Sequence, residues 1–374
     1  MDKDELRAWL RLSLTEGIGN ETARRLLACF GNPQAVFQQS EMALCQVVPT
    51  SQAHALMHTP NELAVQCVRT DQWLMQQPDS HSRALWTLGD PQYPPELLQL
   101  ADPPLMIYVA GQTHASLGNA IAIVGSRNPT PQGAQTADQF GQALSTAGLC
   151  VVSGLALGVD GAAHTGALRS QATPHTHWCT VAVVGTGLDR VYPRQHQTLA
   201  GEIAQRGLLM SEYHLGTPPL AHNFPKRNRL IAALGLGTLV VEAALKSGSL
   251  ITAKLALELG RDVLAIPGSI HATQSHGCHA LIRQGAKLVE NAQDVLEELQ
   301  LAPQQQVSLF DHTPNATHPL LAQMGYGPVS LDALQARSGL DTASLQTQLL
   351  SLELDGALAR LPGGLFQQLA PKVS

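Results

Sequence analysis

A chain of 374 residues, 44% hydrophobic and 14% charged, holds enough apolar material for two or three ordered domains and excludes a disordered polymer. A net charge of −6 excludes a protein that coats duplex DNA with one broad positive face. Residues 1–117 carry 7 basic and 12 acidic groups, 118–300 carry 13 and 12, and 301–374 carry 3 and 5, so the cationic potential sits in the middle of the chain.

The six cysteines (29, 45, 67, 150, 179 and 278) include no C-x-x-C pair and read as reduced, mostly buried thiols. His271, His276, Cys278 and His279 lie close together but match no zinc spacing, so neither a metal nor a cofactor is expected. The segment MDKDELRAWLRL lacks the apolar core of a signal peptide, and no stretch approaches the ~18 apolar residues of a membrane span. A cytoplasmic protein without a membrane partner is expected.

Residues 1–68 read as short helices, with Leu6, Leu10 and Leu14 on one face. The turn Gly17-Ile-Gly-Asn20 before Glu21–Phe30 has two readings. One is a helix-hairpin-helix phosphate site, the other an αα-hairpin turn with Asn20 as the N-cap, which the acidic surroundings favour. Residues 69–117 are a Pro- and Gln-rich connecting segment ending in an edge strand at Leu105–Val109.

From 118 to 302 short apolar runs alternate with helical stretches. Strands are predicted at 120–124, 149–152, 180–184, 208–210, 238–241, 263–266 and 286–289, and helices at 133–147, 160–169, 252–259 and 292–299. That alternation defines an α/β core with a parallel, doubly wound sheet. Residues 303–318 read as a polar linker. Residues 319–374 read as a winged helix, with helices at 320–324, 331–339 and 341–355 and a β pair about Gly363-Gly364. Its presumptive recognition helix has no Lys or Arg, which argues against reading the major groove of a duplex.

Glycine-rich turns follow four of the strands, at Gly125-Ser-Arg127, Ser153–Gly161, Gly185–Asp189 and Glu242–Ser249. Ligands of open α/β sheets bind at such strand ends. No G-x-G-x-x-G opens the first helix, so a dinucleotide site is not expected. From 226 to 254 five basic residues face one acid, Glu242. Lys226, Arg227 and Arg229 stand beside Phe224 and Asn228, and Lys246 precedes the turn Ser247-Gly248-Ser249 that opens a helix containing Thr252. Cations, a helix N-terminus and a ring for stacking suit a phosphodiester strand. Phe224 reads equally as a buried anchor before Pro225. Arg127 reads alternatively as an ion-pair partner of Glu212 or Glu242, and Glu242 as a group that orients amides and cations.

The strings AIVGSR (122–127), VSGLALGVDGAAH (152–164), VAVVGTGLDRVYP (181–193), SEY (211–213), NFPKRNRLIA (223–232), VVEAALKSGSLITAKLALELGRDVLAIPG (240–268) and LIRQGAKLV (281–289) together resemble the DprA (Smf) family of bacterial DNA-processing proteins. They span roughly 170 residues in family order. The resemblance implies an extended Rossmann-like core between a helical, sterile-alpha-motif-like N-terminal domain and a C-terminal winged helix. It also implies single-stranded DNA binding, a homodimer through the core, and loading of RecA during natural transformation. The implied site comprises a phosphate pocket at Gly125, Ser126 and Arg127. To this it adds strand-tracking residues Phe224, Lys226, Arg227, Asn228 and Arg229, and the turn Ser247, Gly248 and Ser249 with Thr252. The chain departs from the family pattern at His196, where Asn is usual, and at Ala233-Leu234-Gly235.

The rival reading is an enzyme of the lysine-decarboxylase-like phosphoribohydrolases, with Asp160 and His164 as an acid–base pair. The P-G-G-x-G-T signature of that family is missing, since 247–252 reads SGSLIT. No catalytic residue is expected.

Overall fold

The continuous apolar runs form one nine-stranded sheet. A computed structural model describes residues 1–78, 80–170, 177–301, 318–325 and 327–369. Its strands are β1 (Ser82–Thr87), β2 (Met106–Gly111), β3 (Ala120–Val124), β4 (Cys150–Ser153), β5 (Thr180–Val183), β6 (Leu208–Ser211), β7 (Gly237–Val240), β8 (Asp262–Ala265) and β9 (Lys287–Leu288). Their order is β1-β2-β6-β5-β4-β3-β7-β8-β9. Strands β3 to β9 pair in parallel, while β2 runs antiparallel to β6 and β1 antiparallel to β2.

The chain winds outward from β3 to β6 on one side and from β7 to β9 on the other, so β3 and β7 flank the switch point where a ligand crevice forms. Alternate residues along the strands serve two cores. Ile121, Ile123, Val151 and Leu239 pack against the helices Pro131–Thr146, Val159–Leu168 and Ala292–Glu298. Ala122, Val124, Val152, Val183 and Val240 pack against Asn223–Leu234, Ser249–Glu258 and His276–Arg283. Burial on both faces explains why these strands read as unbroken apolar runs.

Strand β1 and the helices Gln197–Arg206 and Asn223–Leu234 were not expected from sequence. The expected edge strand is therefore β2, one place in from the edge, and pairs on both sides. The helix Leu63–Met75 runs across the boundary placed at 68. Leu10, Leu12, Leu26 and Leu63 of the helical N-terminal region share a core with Leu85, Met106 and Tyr108 of β1 and β2. The turn after the first helix is an αα-hairpin, with Gly19 rather than Asn20 at the N-cap.

The winged helix contains helices Pro319–Met324, Leu331–Ser338 and Thr342–Leu354 and the strands β10 (Val329–Ser330), β11 (Leu358–Leu361) and β12 (Leu365–Gln368). Leu334, Leu345, Leu349, Leu352 and Phe366 make its core. The expected linker lies outside the described residues except for His318.

Candidate nucleic-acid interface

The loop after β3 is held from two sides. Thr130 caps the helix Pro131–Thr146 through its hydroxyl, which accepts the Gly133 amide at 3.0 Å. Glu242, just past β7, accepts the Thr130 amide at 2.9 Å and the Thr130 hydroxyl at 2.7 Å. Gly133 leaves room for the Glu242 carboxylate, which a Cβ there would displace. On the other side the Val159 amide donates to the Ser126 carbonyl at 3.1 Å. Gly158, at φ 81°, gives the chain a left-handed turn and leaves room for the carbonyls of Ser126 and Arg127.

This frame presents Gly125, Ser126 and Arg127 at the crevice. Arg127 is exposed, and its guanidinium lies 5.7 Å from the centre of the Phe224 ring. Among the described residues it forms no ion pair, so the expected alternative partners Glu212 and Glu242 do not hold it. Phe224 is half-buried; its other neighbours are Gly185, where a Cβ would come within 3.0 Å, and the ring of Tyr192 at 5.6 Å. Tyr192 is 46% exposed. Arg127, Phe224 and Tyr192 thus form an open cation–aromatic ladder of a kind that bases and sugars stack against.

Tyr192 was not singled out from the sequence. Its signal was position: it follows the glycine turn after β5, one of the four turns that converge here.

The helix Asn223–Leu234 divides the basic cluster. Asn223, Arg227, Leu230, Ile231 and Leu234 face the sheet, and Lys226 faces outward. Arg227 is 4% exposed and donates to the Gly154 carbonyl at 2.7 Å and to the Val183 carbonyl. Burial lowers its pKa to about 10, partly offset by the nearby Asp160 carboxylate. Arg229 pairs with the buried Glu212 and donates to the Asp102 carbonyl at 2.8 Å. Both were expected as strand-tracking cations, and both are instead turned inward and engaged by the protein. An ion that has lost its water needs such partners.

Asn228 bridges to the next loop. Its Nδ2 lies 3.5 Å from the Gly248 carbonyl, and its Oδ1 accepts from Arg227 Nε at 3.2 Å. Gly248 is the N-cap of Ser249–Glu258, and open space surrounds it, with nothing within 4 Å of the position a Cβ would take. The Ser247 and Ser249 hydroxyls are 2.7 Å apart. Lys246 is exposed beside them, whereas Ser249 and Thr252 are buried and contribute through the turn's shape. The structure therefore sets Arg127 beside Phe224 and Asn228 beside the Ser247–Ser249 turn, while Lys226 and Lys246 are exposed on the helix and before the turn.

Asp160 and His164 each engage other groups. Asp160 accepts the Gly154 and Ala156 amides at 3.2 and 3.3 Å, and burial raises its pKa against the pull of Arg227. His164 is fully buried, with Nδ1 2.7 Å from the Thr180 hydroxyl, and burial lowers its pKa to about 3. His196 packs on Gly161 and donates from Nδ1 to the Leu155 carbonyl at 3.0 Å.

A doubly wound core preceded by helices and followed by a winged helix defines the architectural class, a Rossmann-like protein with a C-terminal winged helix. The family model for DNA recombination-mediator protein A matches residues 84–300, and that for the DprA winged helix domain matches 307–364. The chain belongs to the DNA recombination-mediator protein A (DprA/Smf) family.

Protein Smf of Escherichia coli is 42% identical over 302 residues, 78% of each chain. DNA processing protein DprA of Streptococcus pneumoniae is 45% identical over 215 residues, 58% of this chain and 74% of its own length. The X-ray structure of the Streptococcus pneumoniae protein superposes with a TM-score of 0.65 at 34% identity, covering 80% of this chain and 98% of that one. DNA processing protein A of Helicobacter pylori, whose structure was described for its single-stranded DNA binding mode, matches with a TM-score of 0.51 at 32% identity. That match covers 58% of this chain and 95% of that one.

Proposed function

We propose that this protein binds single-stranded DNA in the crevice between the ends of β3, β5 and β7, without catalysing a reaction on it. The observation that carries the reading is the open ladder of Arg127, Phe224 and Tyr192, with Lys226 exposed on the helix that carries Phe224. Rings accept unstacked bases, while separate cations and turn amides take phosphates, and neither element reads sequence. The single-stranded DNA binding mode described for the Helicobacter pylori relative supports the same assignment. Engagement of Asp160 by amides and of His164 by Thr180 supports a binding role over the enzymatic alternative.

In this reading the protein acts in the cytoplasm as a homodimer joined through the Rossmann-like core. It shields incoming strands during natural transformation and loads RecA onto them. The test compares single strands with blunt duplex by fluorescence anisotropy across a salt series, alongside a nucleotide-hydrolysis assay. Single strands should bind far more tightly, with a log–log salt slope of about −0.7 per neutralised phosphate. Equal affinity for duplex, or turnover of a nucleotide, would overturn the reading. RecA filament formation on protein-bound strands tests the loading step.

A further inference from the structure

The helix Thr342–Leu354 of the winged helix carries two apolar stripes. Leu345, Leu349 and Leu352 fill the domain's own core. On the outer side Ala343, Thr347, Leu350 and Leu354 are all exposed, Leu350 by 57% and Leu354 by 80%. Their spacing of four, three and four residues is that of a seam which packs on another helix. A lone exposed leucine is ordinary, but two aligned along one ridge form a patch.

The charge around this ridge is one-sided. Glu353 and Asp355 lie at its carboxyl end and form no ion pair among the described residues, while Asp341 caps its amino end by accepting the Ala343 and Ser344 amides. The two described cations of the domain are occupied elsewhere. Arg337 donates to the Gln323 carbonyl at 3.3 Å, and Arg360 stacks over Phe366 at 5.4 Å. Among the described residues a DNA phosphate finds no free counter-charge on this surface. A second copy of the same helix would set carboxylates against carboxylates in either orientation.

We propose that the outer face of Thr342–Leu354 docks an amphipathic helix of a protein partner, one whose apolar ridge is flanked by Lys or Arg. The leucine ridge supplies the buried area, and the acidic rim selects the partner's charge. The surface that winged-helix proteins turn toward duplex DNA serves here as a protein contact.

The test uses the full chain and a fluorescent synthetic helical peptide with leucines at this four-three-four spacing and lysine flanks. Saturable binding is expected. It should weaken about tenfold or more for the double variant Leu350→Ser, Leu354→Ser, and also when glutamates replace the peptide's lysines. The double variant keeps the protein's charge, so it separates ridge docking from general attraction of a basic peptide, and its unchanged melting curve reports an intact domain. Absence of saturable binding, or equal binding by wild type and double variant, would overturn the proposal. So would a fall in mass of the variant by light scattering, which would assign the face to a second copy. Loss of duplex DNA binding by the variant would assign it to DNA and equally overturn the proposal.

Discussion

Glu242 and Thr130 close the switch point: the carboxylate at the end of β7 takes both the amide and the hydroxyl of the residue that caps the first helix after β3. This side chain adds a tie between the two halves of the doubly wound sheet, which already pair along β3 and β7. Glu242→Ala should therefore cost about 1 kcal/mol of stability by leaving two part-buried donors without their acceptor, and should also weaken strand binding. Gly133→Ala should do the same by crowding the carboxylate. Calorimetry and anisotropy check both. Tighter binding by Glu242→Ala at unchanged melting temperature would mean that the carboxylate merely repels phosphate.

The three arginines of the basic region should separate by consequence. Arg127→Ala, at an exposed position, should weaken binding to all strand sequences by about 1–3 kcal/mol with little change in melting temperature. Arg227→Ala leaves the Gly154 and Val183 carbonyls without their buried donor and removes the cation near Asp160, and should cost at least about 1–3 kcal/mol of stability. The position of Arg229 beside Glu212 predicts the same class of effect. Chemical denaturation of the three variants, run beside binding, checks the ordering. A stable, binding-deficient Arg227→Ala would show that its guanidinium reaches the strand.

Tyr192 should contribute to affinity without contributing to fold. Truncation to alanine at a 46% exposed ring removes a stacking surface worth about 1–3 kcal/mol per base. Tyr192→Phe should bind like the wild type, since the ladder uses the ring's face. Equal affinity of Tyr192→Ala and wild type for a single strand would remove Tyr192 from the site.

Acid should unfold the protein through two histidines, the buried His164 and the half-buried His214. The pKa of His214 is lowered to about 4 and that of His164 to about 3, in both cases chiefly by burial. Unfolding returns each to the ordinary value of about 6.5, so below that pH the unfolded chain binds more protons. Their contribution is fully present above pH 6.5 and is lost as pH falls toward 4 and then 3. The loss approaches about 1.4 kcal/mol per pH unit for each histidine. His214→Gln should flatten the dependence between about pH 6.5 and 4. A denaturation series from pH 7 to 4 that shows no such difference would contradict the buried neutral state.

A chain ending at Pro303 should bind single strands within about threefold of the full chain. The winged helix adds only Arg337 and Arg360 among its described residues, and both are engaged within the domain. The shortened chain should still be a dimer by light scattering. A tenfold loss with the core folded would show that the domain grips DNA in spite of its charge.

The sheet was legible because Ala120–Val124, Thr180–Val183 and Gly237–Val240 are buried on both faces and leave uninterrupted apolar runs. Strand β1, with the sequence SRALWT, escaped because half of it is only partly buried and it follows a polar segment. The four glycine turns located the crevice, since strand ends fix where loops converge. The side-chain directions of the basic cluster were not read, because Pro225 hid a helix. Proline is tolerated in a first turn, and with the helix recognised, Arg227 falls into register with Asn223, Leu230, Ile231 and Leu234. The ladder partner Tyr192 needed the fold itself, which brings residues 127 and 192 from two loops together with residue 224 of a helix's first turn.

The sheet also ends unequally. Strand β9 has two residues, both exposed, and Lys287 is held by Glu298 at 3.3 Å. So short and charged a margin offers no template on which a second sheet could continue. Two copies meeting on that flank would have to mate through helix side chains. The association could then be tuned or abolished by single surface substitutions while every backbone hydrogen bond of the core stays in place.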